Sequence, residues 1–372
     1  MFIQKSQKKN NSSNENIYVY LSWFAIFIPF FIGTYRHSSE LNPNSAFTLS
    51  KIVEILNLEE TGLDKGLLIL SVKILFLLTP LFLLTVYELS LKKDGQKAKL
   101  SQTSFGRIKD SIGYKFADVW YFILTLLRTQ FSFLFTLMTL GLATINKGIS
   151  SWFHSLYTDI LPTQNNEFSS ILVVLIAILI SDLALYVEHR VAHEVAFIWD
   201  LHEFHHSATE MTILCRDRGS PLQAIFTAPI VLPFTVLNGL LINEFLTEGR
   251  FIPVILYSAL MAMDYFFAVI GHSSIEMVFP KPFSYIFMSP QLHWLHHSTN
   301  PNHYNCNYGQ KFPYWDMLFG TYLDESHLKD IQEFGVTNTE YNKHHPLYSY
   351  ICLPVLKLLK RVKKRDILGW EI

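Results

Sequence analysis

Histidines dominate the residues of this sequence that can do chemistry. Nine of the 15 histidines in the 372-residue chain lie between positions 189 and 297. Most are three or four positions from a neighbour, so on a helix they share a face and direct several imidazoles at one place. Imidazole binds iron, zinc, copper and nickel, and one zinc ion takes only three or four protein ligands. The spacing therefore predicts two metal ions with nine candidate ligands: His189, His193, His202, His205, His206, His272, His293, His296 and His297.

Polar residues near these histidines are candidates for orienting them. Asp182, Tyr186, His189 and His193 follow one stripe of a predicted helix. A carboxylate inside an apolar helix is costly and usually functional. Asp182 is therefore predicted to accept a hydrogen bond from a ligand histidine, with hydrogen bonding between helices as the alternative. Glu276, four residues after the lone histidine, is a second candidate for the same role.

The first H-x-x-H-H motif has a second interpretation. Residues 202–206 also read H-E-x-x-H, the zinc-protease pattern in which Glu203 acts as general base beside His202 and His206. The second motif, at 293–297, lacks the glutamate, and a protease leaves the remaining histidines unexplained. A membrane zinc hydrolase and a membrane protein that binds metal without catalysis stay open as alternatives.

The elements that must position these histidines are apolar. Half of the residues are hydrophobic and only 16% are charged, against about 25% in soluble domains. This composition excludes a disordered chain and argues against a wholly soluble enzyme. A net charge of −1 gives no indication of nucleic-acid binding, and three cysteines without paired spacing argue against a disulfide framework. Six stretches are long and apolar enough to span a bilayer: 17–35, 66–87, 119–146, 168–187, 221–243 and 251–272.

The basic residues predict an orientation for these stretches. If all six span and the N-terminus is cytosolic, 23 Lys and Arg lie in cytosolic segments and 5 lie outside, as the positive-inside rule requires. All nine clustered histidines then lie at or near the cytosolic face. Four regions are predicted: a flexible N-terminus (1–16), N-terminal spans with their loops (17–167), a catalytic domain (168–322), and a tail (323–372) whose basic end is an interfacial helix or a solvated terminus.

Motifs in a fixed order give the sequence its likeness to a known family. They are D-L-A-L-Y-V-E-H-R-V-A-H from Asp182, W-D-L-H-E-F-H-H-S from Trp199, G-H-S-S from Gly271, S-P-Q-L-H-W-L-H-H-S from Ser289, N-Y-G from Asn307 and W-D-M-L-F-G-T-Y from Trp315. Over about residues 180–322 this set resembles the fatty acid hydroxylase/sterol desaturase superfamily of membrane di-iron enzymes, in particular its bacterial members called sterol desaturase family proteins.

The resemblance implies an all-α fold: a polytopic membrane helical bundle of four to six spans, with a cytosolic helical cap that holds a histidine-rich dimetal site. It implies two iron ions (Fe2+/Fe3+), dioxygen as co-substrate, and hydroxylation or desaturation of a C–H bond in a fatty acyl chain, a sterol or a related lipid. An external electron donor is also implied, either a separate electron-transfer protein or a reduced pterin. The implied location is a multi-pass membrane protein with a cytosolic catalytic side, in a bacterial inner membrane rather than the endoplasmic reticulum.

The resemblance also assigns individual residues. The family's ligand positions fall on the nine histidines. Asn307 and Tyr308 match an element near the metals, and Asp316 is expected to hydrogen-bond within the cap. Some fatty acid hydroxylases carry a further histidine where this sequence has Glu276, so eight or nine histidines complete the site, or Glu276 or water fills a gap. His303 is expected to have a surface or supporting role.

Overall fold

The computed structural model describes residues 82–90, 92–93, 96–97, 99–108, 117–125, 155, 167–247 and 251–364. The predicted flexible N-terminus (1–16) and the apolar stretch 17–35 lie outside these residues, as do most of the stretches 66–87 and 119–146. The other three apolar stretches, all of the histidine motifs and most of the tail lie within them.

Helices make up most of the described part of the chain. Residues 82–90 and 117–125 are helical. The labelled helices are α1 (Ser104–Arg107), α2 (Glu167–Glu194), α3 (Ala196–His206), α4 (Pro221–Thr247), α5 (Phe251–Gly271), α6 (Phe283–Ile286), α7 (Pro290–His296), α8 (Tyr314–Phe319) and α9 (Leu353–Lys364). Shorter turns are 3-10 helices at Leu100–Gln102, Cys215–Asp217, Pro301–His303 and Glu325–Asp330, and a π-helix at Tyr348–Cys352. Strands β1 (Lys92–Lys93) and β2 (Gln96–Lys97) pair antiparallel, with Lys92 opposite Lys97.

The three long apolar helices pack against one another. Val174 and Ala177 of α2 are fully buried and cluster with Leu241 of α4. Leu260 of α5 packs against the same cluster. The burial of these side chains stabilises the bundle by the hydrophobic effect. The apolar stretches predicted from positions 168, 221 and 251 are therefore confirmed as helices.

Two helices of the described part are long and apolar enough to cross a membrane, at Ser170–Glu194 in α2 and Pro221–Asn238 in α4. Ile171 and Leu175 of α2 are 45% and 48% exposed, and Ile225 of α4 is 64% exposed. Large exposed apolar patches mark surfaces that meet a partner or a membrane. Both helices coincide with predicted spans, whereas crossing by α5 or by residues outside the described part stays a prediction.

Two short helices carry the H-x-x-H-H motifs. Val195 is extended (φ −103°, ψ 111°) and separates α2 from α3, so the chain changes direction just after the H-x-x-x-H motif. α7 begins after Ser289 with Pro290 in its first turn, where the missing N–H costs no helical hydrogen bond. His205 and His206 lie in the last turn of α3, and His202 lies just before that turn. In α7 the last turn contains His293 and His296, and His297 follows it.

The tail contains the predicted helix, and part of it packs on α3. In α9, Lys357 pairs with Glu203 and Arg361 pairs with Asp200, so two of its basic residues bind the helix that carries the first H-x-x-H-H motif. Leu359 on α9 is 59% exposed. The tail is therefore a folded element joined to α3, and contact of its exposed face with a membrane stays a prediction.

Candidate metal centre

The structure gathers all nine predicted histidines into two groups. Within each group, one nitrogen of every ring lies within 4.8 Å of one nitrogen of every other ring. Seven of the nine rings are buried, and His189 and His205 are half-buried. Group A contains His189, His193, His202, His206 and His296, and group B contains His205, His272, His293 and His297.

The ring nitrogens of group B converge on one point. His272 Nε2 lies 3.0 Å from His205 Nε2 and 3.2 Å from the Nε2 atoms of His293 and His297. The last two nitrogens are also 3.2 Å apart. A neutral ring nitrogen either donates or accepts, so a triangle of three such atoms cannot be satisfied by hydrogen bonds alone. Four nitrogens around one ion at about 2.0–2.1 Å are separated by about 3.4 Å, which is close to this arrangement.

Group A contains buried nitrogens that lack a hydrogen-bond partner. They are the Nε2 atoms of His202 and His296. Elsewhere in the group, His193 Nε2 lies 3.0 Å from His206 Nε2. A buried polar atom without a partner costs about 1–3 kcal/mol, and a metal ion would satisfy these atoms together. The residues of both groups therefore fit metal ions bound through imidazole.

The other ring nitrogens fix the orientation of several rings. A ring that donates through Nδ1 keeps its lone pair on Nε2, the form that binds a metal. Three of the four acceptors are backbone carbonyls. The bonds run from His189 Nδ1 to Tyr308 O (2.8 Å), from His272 Nδ1 to Ala268 O (2.6 Å), from His296 Nδ1 to Cys306 O (2.7 Å) and from His202 Nδ1 to Gln223 Oε1 (3.2 Å).

Burial keeps the rings in their neutral form. Desolvation, followed by the charges of neighbouring rings, lowers the pKa of the histidines on and next to α3 and α7 well below the usual value of about 6.5. Only the neutral imidazole binds a metal ion, so these rings are ready to bind at neutral pH. The residues concerned are His202, His205, His206, His293, His296 and His297.

Neither of the two carboxylates predicted to orient a histidine, Asp182 and Glu276, has a described hydrogen bond to one of the nine rings. The Asp182 carboxylate accepts a hydrogen bond from Trp315 Nε1 at 3.0 Å. This bond supports the alternative interpretation, hydrogen bonding between helices. Glu276 is exposed and belongs to neither histidine group. It does not share a helical face with His272, because α5 ends at Gly271. Group B has four rings without Glu276, and a supporting role for this carboxylate stays a prediction.

Two other predicted residues, Tyr186 and Asn307, hold the segment that follows α7. Tyr186 Oη lies 3.0 Å from Thr321 Oγ1. Asn307 Nδ2 donates to the carbonyls of Leu292 and Leu323, both at 2.9 Å. Asn307 also has a positive φ of 50°, a conformation that asparagine tolerates better than most residues. Asn307 therefore fixes backbone next to the second H-x-x-H-H motif, and Tyr186 joins α2 to the side chain of Thr321.

The Asp316 carboxylate fixes the N-Y-G element. It accepts hydrogen bonds from the N–H groups of Tyr308 (2.8 Å) and Gly309 (2.7 Å) and from Thr321 Oγ1 (2.7 Å). Burial raises the pKa of Asp316 to about 6. A Cβ atom on Gly309 would lie 2.5 Å from Phe312 O, so the turn requires glycine. The expected hydrogen bonding by Asp316 is observed. Asp316 fixes the backbone of Tyr308, and the carbonyl of Tyr308 accepts the hydrogen bond from His189.

Glu203 is engaged by the tail. Its carboxylate accepts a hydrogen bond from Thr339 Oγ1 at 2.6 Å and pairs with Lys357. A general base must reach the substrate or its attacking water, and these two partners occupy the carboxylate instead. The zinc-hydrolase interpretation of residues 202–206 is therefore disfavoured.

A cavity of about 200 Å3 opens beside both groups. Its wall contains rings of both groups, apolar side chains and a small set of polar residues. A largely apolar pocket with a few convergent polar groups is the usual form of a small-molecule site. The residues concerned are His189, His202, His205, His272 and His293, the apolar Leu185, Phe267 and Met288, and the polar Glu188, Arg216, Gln223 and Gln310. Sequence reasoning missed Gln223, whose only signal is a polar position in the first turn of an apolar helix.

Comparison with known proteins assigns this region. The family model for fatty acid hydroxylase matches residues 174–321. An ornithine lipid hydroxylase of Rhizobium tropici is 29% identical over 40% of this chain and 41% of its own. An alkylglycerol monooxygenase of Caenorhabditis elegans is 29% identical over 45% of this chain and 30% of its own. A fatty acid hydroxylase of a Lecanicillium species is 26% identical over 39% of this chain and 40% of its own.

The similarity is confined to part of each protein. The chain spans 30–41% of the length of these three relatives. No solved structure matches the chain. The matched residues 174–321 include all nine histidines of groups A and B, together with Asn307 and Asp316. The predicted resemblance to the fatty acid hydroxylase/sterol desaturase superfamily is thus confirmed for the segment that builds the candidate metal centre.

Proposed function

We propose that this protein is a membrane-bound, di-iron, dioxygen-dependent oxidoreductase that hydroxylates a C–H bond of a lipid. The observation that carries the proposal is the division of nine histidines into two convergent groups beside one cavity. Each of the three relatives described above is named a hydroxylase or a monooxygenase. These names favour hydroxylation over desaturation, the other reaction that the sequence leaves open.

The histidines would hold two iron ions, one in each group. Iron supplies the activation of dioxygen and the oxidation of an unactivated C–H bond, which no protein side chain performs by itself. The chain would position the ions and keep water away from them. Seven of the nine rings are buried, and the carbonyls of Tyr308, Ala268 and Cys306 hold three rings with Nε2 free of its proton.

The cavity is the proposed binding site for the reacting part of the lipid. Leu185, Phe267 and Met288 provide apolar surface for a hydrocarbon segment. Arg216 and Gln310 are the polar residues of the same wall that are suited to a polar group of the lipid. A lipid that lies along α2 and α4 would enter with its tail in the bilayer and its polar end near the histidines.

Electrons would come from an external donor, either a separate electron-transfer protein or a reduced pterin. The proposed location is a membrane, with the histidines on its cytosolic side. The exposed apolar faces of α2 and α4 support the membrane location. We also propose that the exposed face of α9 lies on the same membrane surface, since Leu359 and Val362 are both 59% exposed next to a basic C-terminus.

Mass spectrometry of membrane lipids tests the proposal. Cells that produce the intact protein are compared with cells that produce His296→Ala, under isotopically labelled dioxygen. We expect one lipid class to gain one labelled oxygen atom in the first case and a clearly smaller fraction of that class to gain it in the second. His344→Ala is the matched control, because His344 is exposed and belongs to neither group.

Two results would contradict the proposal. An identical lipid profile for the intact protein and His296→Ala would contradict the proposed role of group A in lipid oxidation. A gained oxygen without the isotope label would indicate water as its source and a hydrolytic or hydration reaction. The intact protein and His296→Ala are also compared for their amount in membranes and their thermal stability. Equal values would show that a difference in product does not come from a difference in folding.

A further inference from the structure

A third cluster of metal-binding side chains lies outside groups A and B. His303, His327 and Asp330 each offer one ligand atom, and these atoms all lie within 4.8 Å of one another. Among the residues that the structure describes, this is the remaining group of three or more such side chains. We call it the outer cluster. None of its members belongs to the nine histidines of the candidate metal centre.

His303 is buried without a hydrogen-bond partner. Its side chain is 1% exposed, and neither Nδ1 nor Nε2 has a hydrogen-bond partner. A buried polar atom of this kind costs free energy unless something binds it. Burial also lowers the pKa of His303, so the ring is in the neutral form that binds a metal ion. The ring of His327 lies 6.2 Å from that of His303 and is nearly perpendicular to it.

The other two members share one turn of helix. His327 and Asp330 both lie on the 3-10 helix Glu325–Asp330, in which residues three apart are eclipsed. His327 Nδ1 lies 3.9 Å from Asp330 Oδ2, and the two side chains are 43% and 46% exposed. An exposed ion pair of this length contributes little stability, and it leaves both nitrogens of His303 unsatisfied. Small rotations of these two exposed side chains would close the cluster around an ion.

We propose that His303, His327 and Asp330 bind a divalent transition-metal ion, with water completing its coordination. Two imidazole nitrogens and one carboxylate oxygen are ligands of Zn2+ and of other first-row ions. The ion would join the turn Pro301–His303 to the helix Glu325–Asp330, which follows it in the chain by more than twenty residues.

The outer cluster is connected to group A through one short segment. Cys306 Sγ donates to His303 O at 3.0 Å, and Cys306 O accepts the hydrogen bond from His296 Nδ1 at 2.7 Å. An ion in the outer cluster would therefore order the backbone that orients one ring of group A. Its role would be structural, and it would be separate from the proposed lipid oxidation.

Metal analysis of purified variants tests the proposal. The full chain in detergent is equilibrated with Zn2+, freed of loosely bound ion by gel filtration, and assayed for every first-row metal by mass spectrometry. We expect His327→Asn and Asp330→Asn each to hold one equivalent less per chain than the unmodified protein. Both side chains are nearly half exposed, so the variants are expected to fold. His344→Asn, in an exposed histidine outside the cluster, is expected to retain the full content.

A second measurement uses thermal unfolding. Zn2+ binds the folded site, so it is expected to raise the unfolding temperature of the unmodified protein and of His344→Asn more than that of His327→Asn. Equal metal content in all four proteins, or an equal loss in His344→Asn, would overturn the proposal. Lipid oxidation is not the readout, so this result is independent of the function proposed above.

Discussion

The two H-x-x-H-H motifs have the same spacing but serve the two groups in opposite proportions. The first gives its outer pair, His202 and His206, to group A and its middle residue to group B. The second gives its outer pair, His293 and His297, to group B and its middle residue, His296, to group A. Each motif therefore contributes to both groups.

Helix geometry explains this division. With 3.6 residues per turn, successive residues are about 100° apart, so positions i and i+4 differ by about 40°. Position i+3 lies about 60° away from i on the other side. The pair separated by four residues therefore points to one place, and the middle residue points to another. Because each helix gives its pair to one group and its middle residue to the other, groups A and B lie side by side.

Groups A and B differ in what is added to the motifs. Group A gains a second pair with a spacing of four, His189 and His193, from the end of α2, whereas group B gains His272 alone. Group A therefore has five candidate ligands and group B has four, so group B depends more on each of its members.

The largest effect is expected from removing the added residue of each group. His272→Ala leaves three rings in group B, and we expect it to lose one metal equivalent and to reduce lipid oxidation to background. His189→Ala leaves four rings in group A, and we expect partial retention of metal and of activity. Metal content and labelled-oxygen incorporation are measured on both variants. Equal losses would show that the five-to-four difference has no consequence for binding.

Much of this arrangement follows from the sequence, because the spacing of histidines on a helix determines which rings share a face. That spacing predicts the nine positions and the need for two ions. Hydrophobicity predicts the three apolar helices of the described part. The division into five and four was not predicted, since it depends on how α3 and α7 face each other. The tail contact was also missed, because the pairing of Glu203 with Lys357 joins residues more than 150 positions apart.

The groups that orient the histidines were the least accessible to sequence reasoning. Carboxylates were expected, and Asp182 and Glu276 were the candidates. The structure uses mainly backbone carbonyls, those of Tyr308, Ala268 and Cys306. Every residue has a carbonyl, so only the path of the chain reveals which of them accept these hydrogen bonds.

A second prediction tests whether the hydrogen bonds that fix the backbone of Tyr308 support metal binding in group A. Asp316→Asn replaces one acceptor oxygen of the carboxylate with a donor, so it cannot accept all of the bonds from Tyr308, Gly309 and Thr321. The carbonyl that holds His189 is then displaced. Loss of such supporting contacts typically weakens metal binding about 10–100-fold, and we expect this range for group A with a smaller change in group B. Chelator titration measures both, and Glu333→Gln, in an exposed side chain, is the control. Unchanged affinity would separate Asp316 from the metal centre.

Acid is expected to affect the two groups together. The pKa values of three rings in each group are lowered in the folded protein: His202, His206 and His296 in group A, and His205, His293 and His297 in group B. The unfolded chain binds more protons below its ordinary histidine pKa of about 6.5, so stability rises with pH there and is lost on acidification. We expect the unfolding temperature of the metal-free protein to fall by several degrees between pH 7.5 and pH 5.5, and bound metal to be released over the same range. A flat profile would contradict the burial of neutral rings.

The smallest effect is expected at Gln223, whose side-chain oxygen accepts the Nδ1 hydrogen bond of His202 at 3.2 Å. Gln223→Leu keeps an apolar contact but removes the acceptor, so the ring loses one restraint on its tautomer. Because the other four rings of group A keep their places, we expect metal binding in that group to weaken only about tenfold, at the lower end of such effects. Gln223→Glu restores an acceptor and is expected to recover the affinity. Among the contacts described, no ring of group B bonds to Gln223, so the metal affinity of group B is expected to stay constant. An equal weakening of both groups would mean that the two ions bind as one cooperative unit.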